Sequence, residues 1–169
     1  MKKFWSVVVL LALFGSFGIS QEAAQTAQDP GQSAATMKEF TRYAKMDGLV
    51  LNIVLLNNKT VDLLFSGESK YAMRAKANMA TVFYVQGISE KDTTLDLKFD
   101  VEQGGKTFPG QAVNLKNLKA GKLAKGTRVA GLIQLSEKID IAQPFKVKGA
   151  QNAAAEFELT PAALKLLEN

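Results

Sequence analysis

The first chemical fact about this 169-residue chain is an absence: it contains no histidine and no cysteine. The side chain best suited to proton transfer near neutral pH is missing, and so is the thiolate nucleophile. Ser-His and Cys-His catalysis are therefore excluded, as are zinc sites built from nitrogen and sulfur. Carboxylates remain. Asp96, Asp100 and Glu102 alternate with Leu95, Leu97, Phe99 and Val101, so they belong to the wet face of a half-buried strand. Glu90, Asp92 and Asp96 gather near one loop, in a spacing that matches no calcium-binding loop. Ser66, Ser69-Lys70 and Ser89-Glu-Lys91 place serine near lysine, but in polar stretches that do not desolvate an amine. Met37, Met46, Met73 and Met79 are thioethers without the close spacing that favours Cu(I), and core packing is their expected role. No glycine-rich loop opens a helix to cradle phosphates. The expectation is a chain without a catalytic centre, resident metal or cofactor.

One segment does carry a signal. Between Glu102 and Glu137 there is no acidic residue, while Lys106, Lys116, Lys119, Lys122, Lys125 and Arg128 all fall there. Lys116, Lys119, Lys122 and Lys125 recur at every third residue, with Leu115, Leu118 and Leu123 between them. Such a stripe suits an anionic partner: a lipid headgroup, an acidic glycan or an acidic protein surface. The alternative is a lysine-protected sheet edge, broken into separate loops by Gly121 and Gly126. The candidate binding residues are Lys116, Lys119, Lys122, Lys125 and Arg128.

The start of the chain supplies an address. Lys2 and Lys3 precede an apolar run to Phe14, and Gly15 to Ser20 adds small residues, as in a secretory signal peptide cut near Ser20. Residues 4 to 19 are sixteen positions, short of the roughly 20 that span a bilayer. The expected location is periplasmic or secreted, with no membrane span after cleavage. Without the two leader lysines, nineteen basic and sixteen acidic residues leave +3 from a formal +5, too mild to indicate nucleic acid. Residues 21 to 36 contain no large apolar side chain, which predicts a flexible lead.

Residues 37–169 then read as one domain that must position the basic segment. Phe40 to Met46 predicts a first strand. Leu49 to Leu56, the polar tip Asn57-Asn58-Lys59 and the run Val61 to Phe65 predict a hairpin, because asparagine tolerates tight-turn backbone. A weak fourth strand is expected around Tyr71 to Lys76 and a fifth over Met79 to Gln86. The clearest runs from Leu95 to Glu102 into a Gly104-Gly105 turn. Phe108-Pro109-Gly110 interrupts its return, which places that strand on an edge. Further strands follow at Val129 to Leu135, Ile139 to Ile141, Phe145 to Val147 and Glu156 to Leu159. Thr160-Pro161 begins a short helix to Leu167. Short strands about ten residues apart, without intervening helices, predict an all-β antiparallel sandwich or barrel, with the sandwich favoured.

The run Leu49 to Tyr71 resembles the start of bacterial immunoglobulin-like modules of the intracellular proteinase inhibitor kind. There an apolar strand ends in an Asn turn and leads to a Phe-Ser-Gly strand and a tyrosine, matched here by Asn57-Asn58, Phe65-Ser66-Gly67 and Tyr71. The resemblance implies an immunoglobulin-like β-sandwich, and this chain departs from those inhibitors in its export signal. The functional expectation is an exported, non-catalytic binding or assembly module of the envelope or extracellular space. The alternatives are a secreted hydrolase inhibitor, working through loops at Ser66–Lys70 or Gly87–Thr94, and a carboxylate-dependent enzyme.

Overall fold

Leu49, Leu51, Ile53 and Leu55 alternate with Val50, Asn52 and Val54, and nearly all are buried, so this strand must be covered on both faces. A computed structural model, which describes residues 30–46, 48–149 and 153–168, shows how. The strands are β1 (Thr41–Met46), β2 (Leu49–Leu55), β3 (Val82–Ser89), β4 (Thr93–Leu95) and β5 (Phe99–Gln103). β6 (Lys106–Lys116), β7 (Gly121–Leu123), β8 (Arg128–Gln134), β9 (Phe145–Lys148) and β10 (Ala154–Phe157) follow. Eight of them form one antiparallel sheet, in the order β1-β2-β3-β8-β6-β5-β9-β10, and β4 pairs with β7 apart from it. The sheet is barrel-like, because its two end strands, β1 and β10, lie against each other.

β6 turns the corner. Its first half, Lys106–Gly110, pairs with β5, and its second half, from Gln111, pairs with β8. A strand shared in this way joins two arms that enclose one core. Phe145 and Phe157 stack at its centre with Phe83 tilted against both, and Leu51, Ile53 and Ile133 belong to the same core. On the outer face of β2, β3 and β8, a second cluster of Leu56, Val82 and Leu132 is covered by two helices, α2 (Asn58–Leu64) and α3 (Gly67–Met79). α1 (Pro30–Phe40) precedes β1, and α4 (Pro161–Leu167) ends the described chain.

Several expectations are met. β1, β3, β8 and β9 fall where the pattern placed them, and Gly104 and Gly105 adopt φ of 56° and 77°, as a tight β5–β6 turn requires. Thr160 caps α4 through its hydroxyl, which accepts from Ala163 N at 3.1 Å.

Others are corrected. The Asn57–Lys59 hairpin is not formed: Asn57 caps a helix, its Oδ1 accepting from Lys59 N and Thr60 N at 2.9 and 3.0 Å. Thr60 Oγ1 accepts from Asn57 N at 2.9 Å, which closes a reciprocal capping box. The strand expected at Val61–Phe65 is therefore α2, and the one at Tyr71–Lys76 lies inside α3. The strand expected over Leu95–Glu102 is broken at Asp96, whose Oδ1 accepts from Lys98 N and turns the chain out of the ladder. Pro109 does not interrupt β6, since it sits where that strand has a ladder on one side only. Ile139–Ile141 is not a strand. Pro30–Thr36, expected in the flexible lead, forms part of α1, with proline at the helix start. The expected antiparallel β character is present, carried by one barrel-like eight-stranded sheet and a small two-stranded one. The leader over 1–20 and the lead before Pro30 lie outside the described residues.

Candidate functional site

Lys116, Lys119, Lys122 and Lys125 of the basic segment are presented by one end of the barrel, where three connections meet. Ser89, almost completely buried, ties them together. Its N–H donates to Thr127 O at 2.9 Å, and its carbonyl accepts from Gly126 N at 2.7 Å. Its hydroxyl reaches the carbonyls of Gly48 and Lys91, and Glu90 N donates to Gly48 O at 2.7 Å. The β1–β2, β3–β4 and β7–β8 connections are thus one hydrogen-bonded unit. Asp92 Oδ1 adds a bond from Lys125 N at 2.8 Å, which fixes the β7–β8 turn against the β3–β4 loop.

β4 and β7 form a small flap on this end, in register Thr94↔Lys122. Leu95, Leu118 and Leu123 anchor it in the main core, leaving Lys119, Lys122 and Lys125 exposed. Lys116 closes β6 and is exposed as well. Asn117, at φ 52°, then turns the chain, and its Nδ2 donates to Arg128 O at 3.0 Å, which brings the ends of β6 and β8 together. The five predicted residues therefore share one end of the molecule without forming one continuous stripe. Lys116 and Arg128 sit on adjoining strands, and the other three ride on the flap and its turn.

The acidic residues are engaged elsewhere. Glu90 pairs with Lys45 at 3.2 Å, and Asp92 is held by Lys125 N. On the outer face of β5, β9 and β10, Glu102, Lys146 and Glu156 lie in one cross-strand row. Glu156 binds Lys146 at 2.7 Å, and Glu102 binds Lys148 at 2.6 Å. The hydrogen bond and charge of Glu156 hold the Lys146 ammonium above its ordinary pKa. Beside this row lies an open cleft of about 490 Å³ with Gln103 and Lys106 at its margin. The Glu102 and Glu156 carboxylates face lysines rather than each other, which is the pattern of a salt-bridged sheet surface. Among the described residues no three acidic side chains converge as metal ligands would.

The serine–lysine neighbours are separated by the fold. Ser69 Oγ donates to Ser66 O within the first turn of α3, and Lys70 binds Asp62 at 3.2 Å. Ser66–Lys70 is thus a helix start, and Gly87–Thr94 is bound into β3 and the knotted connections, so neither segment projects as a free loop. Tyr43 and Tyr71 are exposed, while Tyr84 packs edge-on against Phe65 at 5.5 Å. Burial from the α2–α3 cover raises the Tyr84 pKa.

No family model, curated protein or solved structure matches the chain. No helix among the described residues is long and apolar enough to cross a membrane. Two side chains carry much of the architecture in roles that the sequence pattern did not assign them. Arg42 sits where β1 meets β10, and Asn57 caps α2 at the opposite end of β2 from the lysines. Arg42 looks like any polar residue of an alternating strand. The Asn57-x-x-Thr60 spacing was the available sign of the cap.

Proposed function

We propose that the chain is an exported, non-catalytic binding module whose cationic end engages an anionic component of the cell envelope or extracellular space. The observation that carries this reading is the Ser89 knot. It holds the flap and the β7–β8 turn in place, so that Lys116, Lys119, Lys122 and Lys125 project from a fixed surface rather than from loose loops. Lysines on a fixed backbone lose little loop entropy on binding and raise the local potential together. The basic start, apolar run and small residues over positions 1–20 support export. The finer fold reading, an immunoglobulin-like sandwich, draws support from the antiparallel ladders and the two arms facing across one core.

Heparin and vesicles rich in anionic lipid are suitable probes. Wild-type protein should bind one of them at low ionic strength and release it as salt shortens the Debye length from about 30 Å at 0.01 M to about 8 Å at 0.15 M. Replacing Lys116, Lys119, Lys122 and Lys125 together with glutamate should abolish retention while far-UV circular dichroism stays unchanged. A variant that elutes with the wild type would refute the assignment.

A further inference from the structure

Along β6 the ladder changes sides, and one stretch of edge is left without a strand. Lys106–Gly110 pairs with β5, and Gln111–Asn114 pairs with β8. Had Leu95–Glu102 stayed one strand, the register Phe99↔Gly110 would carry residues 95–98 along Gln111–Asn114. The turn of Asp96 onto Lys98 N takes them out of the ladder, and Leu95 pairs with Gly121 of the flap instead. The edge they vacate is exposed at Gln111, Asn114, Leu115 and Lys116.

The backbone of that edge is half used. Val113 O points at β8, against Gly131, so the N–H and C=O of its neighbours Ala112 and Asn114 point to the vacated side. Among the described residues neither has a backbone hydrogen bond outside the β8 ladder. Donors and acceptors alternating at this spacing are matched by another extended backbone, and not by a headgroup or a sugar. Val113 and the half-exposed Leu115 give the slot an apolar flank. Exposed lysines stand at both ends, Lys98 at one and Lys116 and Lys119 at the other. Asp96, beside Lys98, is taken up by Lys98 N.

We infer that the vacated edge of β6 binds an acidic segment of another protein as an added antiparallel strand. Resting on the cationic end as the working surface, the slot narrows its anionic partner to an extended polypeptide. A second copy of this chain would bring the same lysines to the slot, where like charges repel. The bulge between Asn114 and Lys116 also guards the edge against self-pairing. An acidic strand turns the lysines of that guard into attraction.

The probe is the peptide acetyl-Glu-Val-Glu-Val-Glu-Val-Glu-amide, added to the full chain and followed by amide hydrogen exchange. Ala112 and Asn114 should exchange quickly in the free chain and become protected with peptide, while Val113, bonded to β8, stays protected throughout. The same peptide with lysine for glutamate should bind weaker by about tenfold or more. With valine opposite Val113, the glutamate N–H groups face Ala112 and Asn114. N-methylation of the glutamates should therefore abolish binding, and N-methylation of the valines should not. Ala112→Pro removes a donor on the vacated side and leaves Val113 its bonds to β8; it should weaken the peptide by about tenfold or more and leave heparin retention unchanged. A wild type that retains heparin but gives no protection at Ala112 and Asn114 would overturn the edge site alone, and one that binds neither would overturn the cationic end with it. Equal binding of acidic and basic peptides, or of both methylated forms, would also overturn the edge site. So would protection of Ala112 and Asn114 that rises with protein concentration alone, the mark of a second copy in the slot.

Discussion

At Gly131 the sheet has no room for a methyl group. A Cβ there would stand 2.2 Å from Leu118 Cδ2 and 2.4 Å from Val113 O. Leu118 is the fully buried anchor of the segment that carries Lys116 and Lys119, so the missing side chain is what lets that segment seat against β8. Gly131→Ala must push a backbone oxygen as well as a leucine, and overpacking of this kind costs about 1–3 kcal/mol. Urea unfolding should show that loss. Amide exchange at Leu118 should accelerate more than at Ile53, deep in β2. A variant as stable as the wild type would mean that the flap is not held by this contact. The sequence pattern placed Gly131 inside a strand over Val129 to Leu135; nothing local revealed that Leu118, thirteen positions earlier, fills the space its side chain would take.

The elements differ in how plainly the chain announced them. Strands with β-branched or aromatic runs, such as Thr81 to Val85, were legible because burial on a pleated surface selects those residues. α2 and α3 were not. Val61, Leu63 and Phe65 alternate as a strand would, and only Asn57-x-x-Thr60 contradicts them. α3 has no buried residue, so it lacks an apolar stripe; its helical sign is the frequent alanine, at Ala72, Ala75 and Ala77. Two of its cations reach Asp62 of α2: Arg74 Nε at 3.0 Å and Nη2 to Oδ2 at 2.6 Å, and Lys70 at 3.2 Å. The basic segment was legible as charge, but its grouping at one end depends on Ser89 contacts across more than thirty positions of sequence. Asp62 thus joins two helices that bury little of their own. Asp62→Ala should lower stability by about 1 kcal/mol, more than one exposed pair because two cations lose a half-buried partner. Amide exchange along Gly67–Met79 should rise while β3 beneath it stays protected. If α3 exchanges no faster, Met73 and Ala77 packing on the second cluster holds it instead.

For the molecule as a whole, the question is what joins the two ends of an eight-stranded sheet that no backbone ladder closes between β1 and β10 among the described residues. Arg42 occupies that junction. Its Nε and Nη2 donate to the carbonyls of Glu156 and Glu158, each at 3.1 Å. Its Nη1 donates to Glu39 O and Thr41 O at 2.9 and 2.8 Å, with a longer reach to Lys38 O. Lys38 and Glu39 lie in the last turn of α1, whose carbonyls lack helical partners and carry the negative end of the helix dipole. The guanidinium also stands 5.3 Å from the centre of the Phe157 ring, at the edge of the aromatic core. One side chain therefore caps a helix, bridges two strand edges and covers the core between them. A lysine could keep the charge but not the planar fork that meets carbonyls on both sides. Methionine would keep a flexible apolar stem over Phe157 and satisfy none of them. Stability should accordingly fall from Arg42 to Arg42→Lys to Arg42→Met, with the last losing roughly 1–3 kcal/mol as the partly buried bonds to the Glu39 and Thr41 carbonyls and the bridge to β10 are lost. Exchange should rise first at Ala154–Phe157 and Thr41–Met46, and unpaired strand edges should make Arg42→Met prone to self-association. Urea titration with exchange mapping separates the outcomes. A methionine variant within about 0.5 kcal/mol of the wild type, the range of an ordinary surface change, would show that the aromatic cluster of Phe83, Phe145 and Phe157 holds the barrel shut without Arg42.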